Sequence, residues 1–186
     1  ALTPQTSYGT QKAIGELLVN DYTRKGFVDG RTLRLPTIVV RPGKPNKAAS
    51  GFASSIIREP LQGDDVENPV SRDTRMLILS PPRAVQAFID IHNADGAVLG
   101  PNRALMMNGL SPTIEEMLDA LRAIAGDAVA DRVRDAPDTL VQTIVDGWAW
   151  YADGERARAL DMTADASVTE IIESFIAGEL GGKIAE

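Results

Sequence analysis

The chain has 186 residues, a formal net charge of −7 and an isoelectric point near 4.8; the length suits one domain with a sizeable core. It has no cysteine and a single histidine, His92, which excludes disulfides, thiolate metal ligands and cysteine nucleophiles and argues against a histidine metal site or a serine triad. Its acidity argues against general nucleic-acid binding, its longest apolar runs fall far short of the ~20 residues that cross a bilayer, and its first residues do not read as a signal peptide.

Periodicity predicts a first helix from Thr6 or Ser7, with an apolar stripe of Ile14, Leu17, Leu18 and Tyr22, stopping at Gly26. Tyr8 and Lys12, four residues apart, share another face of that helix, about one turn from each other. A phenol titrates near pH ~10, and a fixed positive charge beside one favours its ionised form, so the spacing suits acid/base chemistry. Residues 32–40 read as a buried strand, almost continuously apolar and interrupted by Pro36. A loop over 41–51 follows, then a short helix over 52–61 and a polar turn region over 63–72.

Further on, 75–79 reads as a strand and 81–94 as a helix entered through Ser80, Pro81 and Pro82, with His92 as a helix-end or core residue. A short strand over 104–107 precedes a helix capped by Ser111 and Pro112, with the stripe Ile114, Met117, Leu118, Leu121 and Ile124. Val133 marks another short strand. Trp148, Trp150 and Tyr151 form an aromatic cluster read as core or interface packing. Ser167 with Glu170 is a capping box for a last helix. The alternation is α/β.

Charge is uneven along this order. From Arg24 to Arg83 there are 11 Lys/Arg against 6 Asp/Glu, a local balance of +5, whereas the remainder holds 8 against 20. A basic segment in an acidic chain points to a local anionic ligand.

Ser7-Tyr8-Gly9, then Lys12-Ala13, a helix, a glycine and a strand ending in Leu33, Arg34, Leu35, Pro36 and Thr37, resembles the second half of an extended short-chain dehydrogenase/reductase. The stretch from Arg34 to Phe52 is similar to the branch of D-erythronate dehydrogenase-like proteins. Gly-x-Gly occurs nowhere in the chain, so the phosphate turn of a dinucleotide fold is expected in a preceding half, and the chain reads as a C-terminal fragment.

The resemblance implies the C-terminal portion of a Rossmann-type parallel-sheet fold with a small substrate-binding subdomain. Residues 1–42 would be the last part of the Rossmann-like domain. Residues 43–186 would be mainly the subdomain, with about 71–95 returning to the sheet. It implies an NAD-dependent oxidoreductase acting on a small sugar acid, in the cytoplasm, as a homodimer; NADP is the lesser alternative, and the residues that discriminate lie outside this chain. Tyr8 would be the acid/base, and Lys12 would hold the nicotinamide ribose. Leu35, Pro36 and Thr37 would face the nicotinamide, with Thr37 standing where the family has asparagine. Arg41, Lys44, Asn46, Ser50, Arg75 and Arg83 would contact substrate, the guanidinium groups by paired bonds to a carboxylate. No metal site is expected. Nucleotide-sugar epimerisation or dehydration uses the same Tyr-Lys pair, but its Arg-Asp-Phe-x-x-Val-Asp-Asp stretch is replaced here by residues 75–82. A non-catalytic dinucleotide-binding regulator is the remaining alternative.

Overall fold

The computed structural model describes residues 2–44 and 48–185. In chain order the elements are α1 (Ser7–Arg24), β1 (Thr32–Arg34), β2 (Thr37–Ile38), α2 (Gly51–Gln62), β3 (Val66–Asn68), β4 (Ile78–Leu79), α3 (Pro81–Asn93), α4 (Gly96–Leu99), β5 (Ala104–Met106), α5 (Ile114–Ala125), α6 (Asp127–Ala130), β6 (Val133–Asp135), α7 (Thr139–Asp146), α8 (Glu155–Arg158) and α9 (Val168–Glu179). Three parallel pairs, β1 with β5, β2 with β4 and β3 with β6, give the α/β class expected from the alternation.

The strand expected over 32–40 is two strands with different partners. β1 pairs with β5, and β2 pairs with β4. Pro36 between them is buried and has no N–H to give a ladder, so the chain changes partners there. Of the strand expected over 75–79, only Ile78–Leu79 pairs as a strand; Arg75 makes an isolated bridge to Thr113.

Two apolar groups form the core. One centres on Ile56, Ile57 and Leu61 of α2, Ile114, Met117 and Leu121 of α5, and Ile171, Ile172 and Phe175 of α9, with Val39 and Val40. The other joins Leu79, Ala84, Ala87 and Ile91 to Leu105, Met107, Ala157 and Met162, with Leu33, Leu35 and Ile38 packed against it. Leu33 and Leu35 therefore face α3. Arg34, between them, faces the opposite side of the sheet and meets α1, as strand alternation requires.

The apolar stripe of α1 does not join the core. Ile14, Leu17, Leu18 and Tyr22 are 53%, 57%, 55% and 49% exposed, and the one buried residue of α1 is Glu16. The helix meets its sheet through polar groups. Arg34 donates to both Glu16 oxygens at 2.7 and 2.6 Å, Arg103 N donates to Asn20 at 3.0 Å, and Gly30 N donates to Thr23 at 3.0 Å. Periodicity located the apolar face but carries no information about what meets it.

β3 and β6 are fastened by Asn68, which is fully buried and donates to Asp135 at 3.0 Å, and by Arg72, which donates to Asp135 at 2.8 Å and Glu115 at 2.9 Å. Burial pushes the Asp135 carboxyl up, but the bonds from Asn68 and Arg72 outweigh it and hold the group below its ordinary value. A depressed folded pKa contributes stability above the unfolded pKa of about 4 and loses it as pH falls through the folded value. Asp135→Asn is accordingly expected to flatten the acid side of the stability–pH curve, below pH about 4. Urea midpoints across that range provide the check, and an unchanged slope would contradict it.

Candidate active site

α1 begins with Thr6, whose side chain accepts from Gly9 N at 3.0 Å. That cap places Tyr8 and Lys12 in the first turn and a half, clear of the core. Tyr8 is 70% exposed, Lys12 is exposed, and the Lys12 ammonium lies 5.4 Å from the centre of the Tyr8 ring. Among the described residues no carboxylate forms an ion pair with Lys12, so its charge and the phenol form one exposed polar group.

Leu35 and Thr37 are half-buried and flank the buried Pro36. Thr37 N donates to Leu77 O at 2.9 Å, which fixes this corner to the segment entering β4. The corner has a third wall. A Cβ built on Gly109 would lie 2.5 Å from Ile78 O and 2.9 Å from Pro36 Cγ, so only glycine lets the segment after β5 approach this closely. Next to it, Asn108 accepts from Gly154 N at 2.9 Å and from Arg158 at 3.0 Å, tying α8 to the same place. Sequence reasoning did not single out Asn108 and Gly109; the signal was an Asn-Gly dipeptide directly after a strand.

The basic residues after β2 differ in their surroundings. Arg41 is half-buried, its N–H donates to Ser54 Oγ at 3.1 Å and its C=O accepts from the buried Arg58 at 2.7 Å. Among the described residues nothing pairs with the Arg41 guanidinium. Lys44 is exposed, and Ser50 is a half-buried N-cap of α2 without a side-chain cap bond. Asn46 lies outside the described residues.

The comparisons with known proteins bear on this geometry. The chain is 53% identical, over 95% of its length, to D-erythronate dehydrogenase of Cupriavidus necator, covering 54% of that protein. It is 44% identical, over 95% of its length, to D-erythronate dehydrogenase of Haemophilus influenzae, covering 56% of it. A solved nucleoside-diphosphate-sugar epimerase from Agrobacterium tumefaciens superposes with a TM-score of 0.94 at 48% identity, over 98% of this chain and 54% of that one. Over nearly its whole length the chain is thus similar to D-erythronate dehydrogenases and, at 28% identity over 84% of its length, to an uncharacterised epimerase/dehydratase of Staphylococcus saprophyticus. It spans about half the length of the curated relatives it matches. No family model matches it.

Arg75 and Arg83 stand apart from Arg41. Arg83, at the start of α3, donates to Thr163 at 3.2 Å and Glu170 at 3.1 Å. The Ala166 N–H, and after it Arg83, hold the Glu170 carboxyl below its ordinary value. Arg75 donates to Ser111 O at 2.8 Å and lines a polar cleft with Asp73, Gln142, Asp146, Trp148 and Trp150. The aromatic cluster expected in core or interface packing is divided. Trp148 packs against the larger core, whereas Trp150 and Tyr151 are 54% and 64% exposed.

Proposed function

We propose that this chain is part of an oxidoreductase that uses NAD to oxidise a hydroxyl of a small sugar acid resembling D-erythronate. The observation that carries the reading is the exposed Tyr8–Lys12 pair in a chain 53% identical to a D-erythronate dehydrogenase. When bound, the nicotinamide supplies a hydride acceptor. The residues present fit such a group. Lys12 offers an ammonium without an ion-pair partner among the described residues to ribose hydroxyls, and the corner held by the bond from Thr37 N to Leu77 O leaves the Leu35 and Pro36 backbone to face a carboxamide. Tyr8 takes the proton of the substrate hydroxyl as the carbonyl forms, and gives it back in the reverse direction. The Arg41 guanidinium, free of partners among the described residues, holds the substrate carboxylate, with Lys44 and Ser50 beside it. Arg75 and Arg83 already donate to protein acceptors, which makes them secondary substrate contacts.

The same reading assigns residues 1–42 to the last part of a Rossmann-like domain and 43–186 mainly to a substrate-binding subdomain, with 71–95 returning to the sheet. The packing of Leu33, Leu35 and Ile38 against α3 and β5 supports that return. The absence of cysteine from the sequence suits the reducing cytoplasm; among the described residues no helix is long and apolar enough to cross a membrane.

Completed by the other half of the Cupriavidus necator relative, the chain is expected to reduce NAD with D-erythronate and to leave nucleotide sugars unchanged. Arg41→Ala should raise KM for the acid by about 10-fold or more, with KM for NAD nearly constant. Turnover of a nucleotide sugar without net NAD reduction would replace this reading with the epimerase. A completed protein inert towards both would favour a non-catalytic regulator.

The outward stripe of α1 supports a homodimer as part of the same reading. About 100° separates successive helical residues, so Ile14 and Leu18 lie roughly opposite the buried Glu16 and Leu17 about 100° from it, and all three are exposed. A second copy covers such a face by helix pairing. Leu17→Asp is expected to yield a monomer in light scattering, and a dimer that persists at micromolar concentration would contradict the assignment.

A further inference from the structure

The segment leaving β2 is fastened to α2 at three points. Ser54 Oγ donates to Ile38 O at 3.4 Å and accepts from Arg41 N at 3.1 Å, and Arg58 Nη1 donates to Arg41 O at 2.7 Å. Ser54 and Arg58, four residues apart, share one face of α2, so that face takes both backbone groups of Arg41. Pro42, the next residue, disfavours helical conformations at Arg41 and narrows its backbone further. The Arg41 peptide is therefore fixed on both sides, whereas its guanidinium pairs with nothing among the described residues.

Arg58 is costly where it stands. It is 4% exposed, and besides Arg41 O it donates to Ser55 Oγ at 3.1 Å and to Glu59 at 2.7 Å. One Glu59 carboxylate oxygen takes that bond, and the other is buried without a hydrogen-bond partner. A buried ion pair adds little net stability over an apolar pair of the same volume, because desolvation offsets the attraction. The orphaned oxygen adds to that penalty. What an apolar pair could not do is present a donor to the Arg41 carbonyl from a fixed direction. The planar guanidinium, bonded to three acceptors at once, does so rigidly.

We propose that Arg58, aimed by Glu59, is a positioning residue of the acid site: it holds the Arg41 peptide so that the Arg41 guanidinium meets the substrate carboxylate. Arg58 acts through Arg41 and touches no ligand itself. Paired bonds from a guanidinium to a carboxylate demand a matched orientation. A small rotation of the Arg41 peptide therefore harms an acid more than a neutral substrate of the same size, and leaves NAD unaffected. This inference rests on the assignment of Arg41 to the carboxylate made above and adds the residues that make the site prefer an acid.

The test takes the chain completed by the other half of the Cupriavidus necator relative and compares kcat/KM for D-erythronate with that for its neutral amide. Arg41→Ala should cut the acid-over-amide preference by about 30-fold. Arg58→Lys keeps a cation beside Glu59 but replaces the fork with a point charge, and Arg58→Met combined with Glu59→Gln removes both buried charges. Each should cut the preference by about 10-fold, with KM for NAD within about twofold of wild type. Adding Arg58→Lys to Arg41→Ala should change the preference by less than about twofold more, because the two residues act in series. Hydrogen exchange at the Arg41 amide, read without turnover, should quicken by about 10-fold in Arg58→Lys. An acid preference kept by both Arg58 variants but lost in Arg41→Ala, losses that multiply in the combined variant, or unchanged exchange at Arg41 would overturn the proposal and leave the Arg41 assignment standing. A preference unmoved by Arg41→Ala would overturn that assignment and the proposal together. Absence of turnover in wild type would overturn the oxidoreductase reading, while exchange at Arg41 would still decide whether Arg58 holds that peptide.

Discussion

Tyr8→Phe, in the chain completed by the other half of a relative, is expected to lower kcat for sugar-acid oxidation by about 10²–10⁴-fold while leaving KM for NAD nearly unchanged. The substitution removes one oxygen and keeps the ring over which the Lys12 ammonium sits. Because Tyr8 is 70% exposed, the change should alter folding stability by less than about 0.5 kcal/mol, so lost turnover reports on chemistry. Lys12→Met separates the two roles further. It should raise KM for NAD as well as lower kcat, because the ammonium is the group assigned to the ribose. Steady-state kinetics of the three proteins decide the matter, and retention of more than a tenth of wild-type kcat by Tyr8→Phe would remove Tyr8 from the acid/base role.

Gly109→Ala is expected to cost about 2–3 kcal/mol, a large effect for one methyl group. The new Cβ would meet Ile78 O at 2.5 Å, Pro36 Cγ at 2.9 Å and Leu77 Cδ1 at 3.2 Å. The first of these is backbone in a strand that is paired on one side by β2 and bridged on the other to Leu110, so it cannot retreat cheaply. The second is the ring that turns the chain from β1 into β2. Pushing it moves Leu35 and Thr37, so KM for NAD should rise together with the loss of stability. Urea unfolding of the 186-residue chain measures the first effect. A change below about 0.5 kcal/mol would mean that the corner relaxes around the methyl group and does not position anything.

Much of this architecture is legible in the sequence because its signals are local. Thr6 caps α1, Ser80 with Pro81 and Pro82 opens α3, and Ser167 opens α9, each by its own side chain accepting a backbone N–H. The stripe of α5 is buried as its period predicts, since that helix lies between α2 and α9. What failed was local signal asked to report long-range fact. The stripe of α1 has the same helical period, yet it faces outward because the sheet below offers Arg34 in place of an apolar surface. The run over 32–40 is almost continuously apolar, and its division depends on two partners, β5 and β4, that lie far along the chain.

The candidate site was legible to a similar degree. The Tyr8–Lys12 pair is set by helix geometry alone, so spacing was enough to bring the two side chains together. Arg75 and Arg83 carried the right charge for an anionic ligand, but their partners Ser111, Thr163 and Glu170 come from distant segments that charge counting does not see. Gly109 was invisible for the same reason. Its importance lies in the closeness of Pro36 and Ile78, 73 and 31 residues earlier in the chain.

The central claim is that the acid/base pair lies in this chain while the dinucleotide is gripped mainly by the half of the fold outside it. Calorimetric titration with NAD tests this most directly, comparing the 186-residue chain alone with the same chain completed by the other half of the Cupriavidus necator relative. No measurable heat of binding is expected for the chain alone, and a saturable one-to-one isotherm for the completed protein. Submicromolar binding of NAD by the chain alone, or no binding by a completed and folded protein, would contradict it.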